Sequence, residues 1–159
     1  MEELTIGKLL KKIESYNPTE VNIVRKAYDY ADRLHENQIR LSGEPYIIHP
    51  LSVAYTLAEM HADRDTVCAA LLHDVVEDTP ATLDDVANEF NVTIANLVNG
   101  VTKLSKTDKT EQELYVANMR KMIMGTANDV RIIIIKLSDR LHNMRTLEFK
   151  SPEKQKRIS

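Results

Sequence analysis

Helix-opening signals recur along the whole chain, and each is followed by apolar residues at three- and four-residue steps. Asn17-Pro18-Thr19-Glu20 offers an N-cap, a proline at the first helical position and an acid three residues after the cap. Val21, Val24, Tyr28, Ala31 and Leu34 then share one helical face, and Ile6, Leu9, Leu10 and Ile13 precede them with the same period. Asp63 can cap a helix that carries Val67, Ala70, Leu71 and Val75 and ends near Thr79-Pro80. Thr82-Leu83-Asp84-Asp85 has the form of a capping box, and Thr93 can cap a stretch with Ile94, Leu97, Val98 and Val101 inward. Further stripes lie in residues 50–61 and 111–124. Residues 39–50 hold Gly43, Pro45 and Pro50 and read as a loop, and residues 103–110 read as a mobile polar one. Ile132 to Ile135 look like a buried strand in isolation. They run on without Gly or Pro into Lys136, Leu137 and beyond, so length favours a buried helix over residues 131–147. The pattern predicts an all-α fold, a compact multi-helix bundle of about eight helices.

Composition narrows the function classes. The apolar fraction of 43% and charged fraction of 28% are those of an ordinary globular domain and exclude disorder as the main state. Four consecutive isoleucines are the longest aliphatic run, whereas a membrane span needs roughly 20 apolar residues. Met1-Glu2-Glu3 is acidic where a secretory signal is basic. Cys68, the one cysteine, permits no internal disulfide, in keeping with a cytoplasmic location. Twenty-one basic against 24 acidic residues leave a net charge of −3, with no global pull toward nucleic acid or anionic lipid. The four glycines form neither a dinucleotide fingerprint nor a Walker loop.

Candidate chemistry concentrates in His73-Asp74-Val75-Val76-Glu77-Asp78. On a helix these polar residues are three and four apart and therefore surface neighbours. Three carboxylates beside one imidazole repel one another unless a cation sits among them. The plain alternative is a solvated acidic helix end, although the C-terminal end is the wrong one for the helix dipole. His49 and Asp139 could supply further ligands. Asp139 follows the isoleucine run, where a carboxylate is costly to bury unless paired or metal-bound; the alternative is a surface ion pair with Arg140. His35 and His61 read as surface residues, His142 as a packed or hydrogen-bonded one, and Cys68 as core.

The order His49, His73-Asp74, Asp139 resembles the ligand order of the HD superfamily of metal-dependent phosphohydrolases. Three blocks are more specific: RLSGEPYIIHP at residues 40–50, LLHDVVEDT at 71–79 and KLSDRLHNMRTL at 136–147. They resemble the hydrolase domain of the RelA/SpoT family, which makes and degrades the alarmone (p)ppGpp, and the likeness covers nearly the whole chain.

That resemblance implies an HD-type hydrolase domain over residues 1–159 that removes the 3′-pyrophosphate of (p)ppGpp in the bacterial stringent response. It implies His49, His73, Asp74 and Asp139 as ligands of manganese or another divalent transition metal. Glu77 and Asp78 would act on the attacking water, and Arg40, Ser42, Tyr46, Asn143, Arg145 and Thr146 would bind the guanine nucleotide. Leu41 stands where other members carry lysine. The chain stops at Ile158-Ser159, where long members run on toward a synthetase domain, so a C-terminally truncated piece of a bifunctional protein is expected. Three other readings are an HD enzyme for another nucleotide, a non-catalytic regulatory fragment, and a helical interaction module with no active site.

Overall fold

A computed structural model describes residues 4–40, 43–105 and 127–145. Its helices are α1 (Ile6–Tyr16), a 3-10 turn (Pro18–Glu20), α2 (Val21–Leu34), α3 (Ile48–Glu59), α4 (Arg64–Leu72), α5 (Val75–Asp78), α6 (Leu83–Glu89), α7 (Val92–Ser105) and α8 (Ala127–Arg145). The expected all-α fold is therefore found. Among the described residues the only extended pairing is an isolated bridge between Ile39 and Pro45.

Helix α4 is the centre. All of Thr66 to Leu72 is buried, as expected for a helix apolar on every side. It packs against α2, α3, α7 and α8. Helices α1 and α2 are amphipathic and bury single stripes, Leu9 and Ile13 on one and Val24, Ala27 and Ala31 on the other. Ile132 and Ile135 of α8 join the same core, so the isoleucine run is helical.

Local capping chemistry sets several boundaries. Asp63 accepts from the Thr66 amide at 3.3 Å, and Thr82 and Asp85 form the reciprocal box at 3.1 and 2.9 Å. Several expected boundaries differ, among them the start of α3, which lies at Ile48 within the stretch read as a loop. Asn17 makes no side-chain cap: Pro18–Glu20 winds as a 3-10 turn closed by the Glu20 amide on the Asn17 carbonyl, and α2 begins after it. Asn91, not Thr93, caps α7, because its side-chain oxygen accepts from the Ile94 amide at 2.7 Å. The helix expected to run from Asp63 to Thr79 breaks at His73-Asp74, and α5 is a separate single turn. The polar loop expected over residues 103–110 begins later, because α7 continues through Ser105; the rest of it, and the helix expected over residues 111–124, lie outside the described residues.

Residues 38–40 and 43–46 run antiparallel, the two sides of a tight reversal. Tyr46 N–H bonds the Gln38 carbonyl, Arg40 N–H the Glu44 carbonyl and Gly43 N–H the Arg40 carbonyl, each at 2.9 Å. Gly43 has φ of 88°, which its missing Cβ allows. Directly after the reversal, α3 begins with His49 as its second residue.

Candidate metal centre and its acidic rim

Three segments meet at one point: the start of α3, the break between α4 and α5, and the middle of α8. His49 and His73 are each 2% exposed and Asp139 is 5% exposed, so these polar groups are inside the protein. That excludes Asp139 as a surface ion pair with Arg140. One ligand atom each from His49, His73 and Asp74 lies within 4.8 Å of the others. Asp139 Oδ1 completes the group, 2.6 Å from His49 Nε2 and 3.3 Å from His73 Nε2. Asp74 Oδ2 lies 3.1 Å from His73 Nε2 and 3.9 Å from His49 Nε2.

The break in the helix has a role here. His73 Nδ1 bonds the Ala70 carbonyl at 2.5 Å. A carbonyl only accepts, so Nδ1 carries the hydrogen and Nε2 is the nitrogen turned to the cluster. His73 Nε2 is buried and makes no hydrogen bond, despite its nearness to two carboxylates. A buried ring nitrogen left without a hydrogen bond beside two carboxylates fits a cation site. The donor set, two imidazoles and two carboxylates, suits a divalent transition metal.

Electrostatics agree. Burial alone would push His73 down, but the charge of Asp74 and the Asp139 carboxylate outweigh it and hold it well above its ordinary value. His49 goes the other way, lowered by burial. Burial opposes ionisation of Asp74 and Asp139, yet the charge of His73 holds Asp74 low, and the hydrogen bond from His49 with the charge of His73 holds Asp139 low. Lys136 Nζ donates to Asp139 Oδ2 at 2.9 Å. Behind His49, its Nδ1 meets His142 Nδ1 at 2.6 Å, the rings stacked 4.8 Å apart.

The acidic rim follows at once. Asp78 is exposed on α5, one turn after Asp74, with Glu77 beside it. Burial and then the charge of Asp74 raise the Asp78 carboxyl. Tyr46 donates its hydroxyl to Asp74 Oδ2 at 2.6 Å and stands 3.3 Å from Asp78 Oδ2. Arg40 Nη2 donates to Asn143 Oδ1 at 3.0 Å, tying the reversal to α8 across the same edge. Arg145 closes α8; Ser42 and Thr146 lie outside the described residues.

A protein-family model described as HD domain matches residues 27–159. The chain belongs to the HD domain family. This HD domain is 50% identical over 149 residues, 92% of its length, to the bifunctional (p)ppGpp synthase/hydrolase SpoT of Escherichia coli (strain K12). It is 45% identical over 158 residues to the guanosine-3′,5′-bis(diphosphate) 3′-pyrophosphohydrolase of Aquifex aeolicus. The matched regions are 21% and 22% of those proteins, so the chain spans about a fifth of the length of these relatives. A solved structure described as a metazoan ortholog of SpoT that hydrolyzes ppGpp matches with a TM-score of 0.64 and 31% identity, over 85% of this chain and 78% of that one. The resemblance read from the three sequence blocks is thereby found independently.

Two residues beside the candidate site are not evident from the sequence. His35, read as a surface residue, is 2% exposed and packs against Tyr46. Its neighbours Arg33 and Glu36 look solvent-facing and are exposed, but His35 ends α2 and turns inward. Lys136 was passed over, although its position three residues before Asp139 on one helix was a legible signal. His61 is exposed and Cys68 buried, as read.

Proposed function

We propose that residues 1–159 form the (p)ppGpp hydrolase domain of a longer cytoplasmic protein with a covalently linked synthetase domain. The reaction is cleavage of the 3′-pyrophosphate to leave GDP or GTP and pyrophosphate. The observation that carries this reading is the convergence of His49, His73, Asp74 and Asp139, with His73 Nε2 buried and unbonded, beside the acidic turn of α5. The printed names of the relatives supply the substrate class.

His49, His73, Asp74 and Asp139 would hold the cation, which we assign as manganese. When bound, it supplies Lewis-acid chemistry, polarising a phosphoryl oxygen and making hydroxide available near neutral pH. The chain's residues do the rest. To present Nε2 as a ligand, His49 must carry its hydrogen on Nδ1, and His142 Nδ1 at 2.6 Å is there to accept it. Glu77 and Asp78 orient the attacking water. Water oxygen bonds to the phosphorus attached to the 3′-oxygen, and the bond from that phosphorus to the 3′-oxygen breaks. Asp78 accepts the water's proton and a proton is returned to the departing 3′-oxygen. Arg40 offers a planar guanidinium to the guanine or a phosphate, steadied by Asn143. Ser42, Tyr46, Arg145 and Thr146 belong to the same nucleotide-binding reading.

The test is a substrate panel with Mn2+: ppGpp, pppGpp, a deoxynucleoside triphosphate and a cyclic nucleotide. Pyrophosphate release from the first two alone is expected. Turnover of either of the others in preference would overturn the assignment.

A further inference from the structure

Tyr46 was assigned to nucleotide binding by resemblance, yet its hydroxyl is already committed to the acids. It carries one hydrogen and donates it to Asp74 Oδ2 at 2.6 Å, with Asp78 Oδ2 3.3 Å away. The phenol therefore stands between a candidate cation ligand and a candidate water-orienting acid.

Behind the phenol is His35. The two ring centroids are 4.8 Å apart and the planes are inclined by 35°. His35 caps the C-terminus of α2, where its amide bonds the Ala31 carbonyl at 2.9 Å. Its Nδ1 pairs with Gln38 Oε1 at 3.2 Å. Gln38 in turn donates its side-chain amide to the main-chain carbonyl of Asp78 at 3.0 Å, while its own carbonyl accepts from Tyr46 N–H. The end of α2 thus reaches Asp78 by two routes and Asp74 by one. His35 Nε2 is buried with no hydrogen-bond partner among the described residues. An apolar ring would fill the same space without that desolvation cost, so filling space does not account for a histidine here.

We infer that His35, Gln38 and Tyr46 form a positioning brace, in which the Tyr46 hydroxyl fixes the Asp74 carboxylate for cation binding and sets its separation from Asp78. Its effect on turnover rests on the hydrolase reading; its effect on cation binding does not. Through its hydroxyl Tyr46 is then a positioning residue, whatever its ring offers the nucleotide.

Tyr46→Phe in the whole chain removes one oxygen and keeps the ring over His35. Mn2+ binding is measured by calorimetry, and pyrophosphate release from ppGpp by steady-state kinetics. Outer partners of metal ligands change affinity by about 10–100-fold. The expected result is Mn2+ binding weakened about tenfold and kcat lowered by a similar factor, with KM within about twofold. A raised KM with unchanged kcat and unchanged Mn2+ affinity would make Tyr46 a nucleotide contact and overturn the brace. His35→Phe, which keeps the packing but loses the Gln38 bond, is expected to move kcat and Mn2+ affinity in the same direction by less. Unchanged values in both variants overturn the proposal. If the wild type binds Mn2+ but releases no pyrophosphate, the hydrolase reading fails while the affinity ratio still decides the brace. A wild type that binds no Mn2+ overturns both.

Discussion

His49 Nε2 and Asp139 Oδ1 stand 2.6 Å apart although 90 positions separate them in the chain. The contact pins the start of α3 to the middle of α8 and puts an imidazole and a carboxylate at the same buried point. Asp139→Asn keeps the shape and removes the charge. It is expected to weaken Mn2+ binding by at least about tenfold, since a first ligand matters no less than its outer partners. Calorimetric titration of the variant against wild type checks this; equal affinity would exclude Asp139 from the ligand set.

Cation binding is expected to release a proton. Asp74 and Asp139 are held low by their imidazole partners, but His73 is held well above its ordinary value. The carboxylate partners favour the protonated form of His73, and a cation must displace that proton from Nε2. Mn2+ affinity should rise with pH until His73 is neutral. Calorimetry in buffers of different ionisation enthalpy should report net proton release on binding.

Helices α7 and α8 cross closely at Gly100. A Cβ built there would collide with Ile132 Cδ1 and lie 2.8 Å from Cγ1, and Ile132 is buried. Gly100→Ala is expected to cost about 1–3 kcal/mol from overpacking, less up to about 1 kcal/mol gained in helix propensity. Ile132→Val removes Cδ1, the atom in closest conflict. Urea unfolding of the two single variants and the double should show a favourable coupling.

Asp63 joins the N-terminus of α4 to α8. It accepts from Thr66 N and Thr66 Oγ1, and forms an ion pair with Arg131 at 2.9 Å. Burial opposes its ionisation, but the Thr66 and Arg131 contacts win and lower its pKa below 3.8. The charged form is therefore favoured in the folded state. This stabilisation is full above the unfolded value and is lost as pH falls through the folded one. Asp63→Ala is expected to cost about 1 kcal/mol near neutrality, mostly as a lost cap. The ion pair adds little because the Asp63 side chain is 50% exposed. The gap between variant and wild type in unfolding midpoint should narrow below pH 3.8.

Short-range chemistry was legible in the sequence and long-range burial was not. Asp63 and Thr82-Asp85 act within three residues, so their caps could be read directly. The break at His73-Asp74 has no glycine or proline to announce it. It accompanies the His73 Nδ1 bond to the Ala70 carbonyl, within a site completed from α3 and α8. Spacing within residues 73–78 revealed an acidic cluster in need of a cation. That His49 and Asp139 complete it came from resemblance, because no local pattern reports a contact across 90 positions. His35 was misread for the same reason: its neighbours are exposed, and its burial depends on Tyr46.

The four donors His49, His73, Asp74 and Asp139 are proposed to make one cation site that serves (p)ppGpp hydrolysis. Pyrophosphate release from ppGpp, with and without Mn2+, in wild type and in the His73→Ala/Asp74→Ala double variant, tests it most directly. Mn2+-dependent release by the wild type and none by the double variant is the expected result. Release that persists without the cation, or in the double variant, would contradict it.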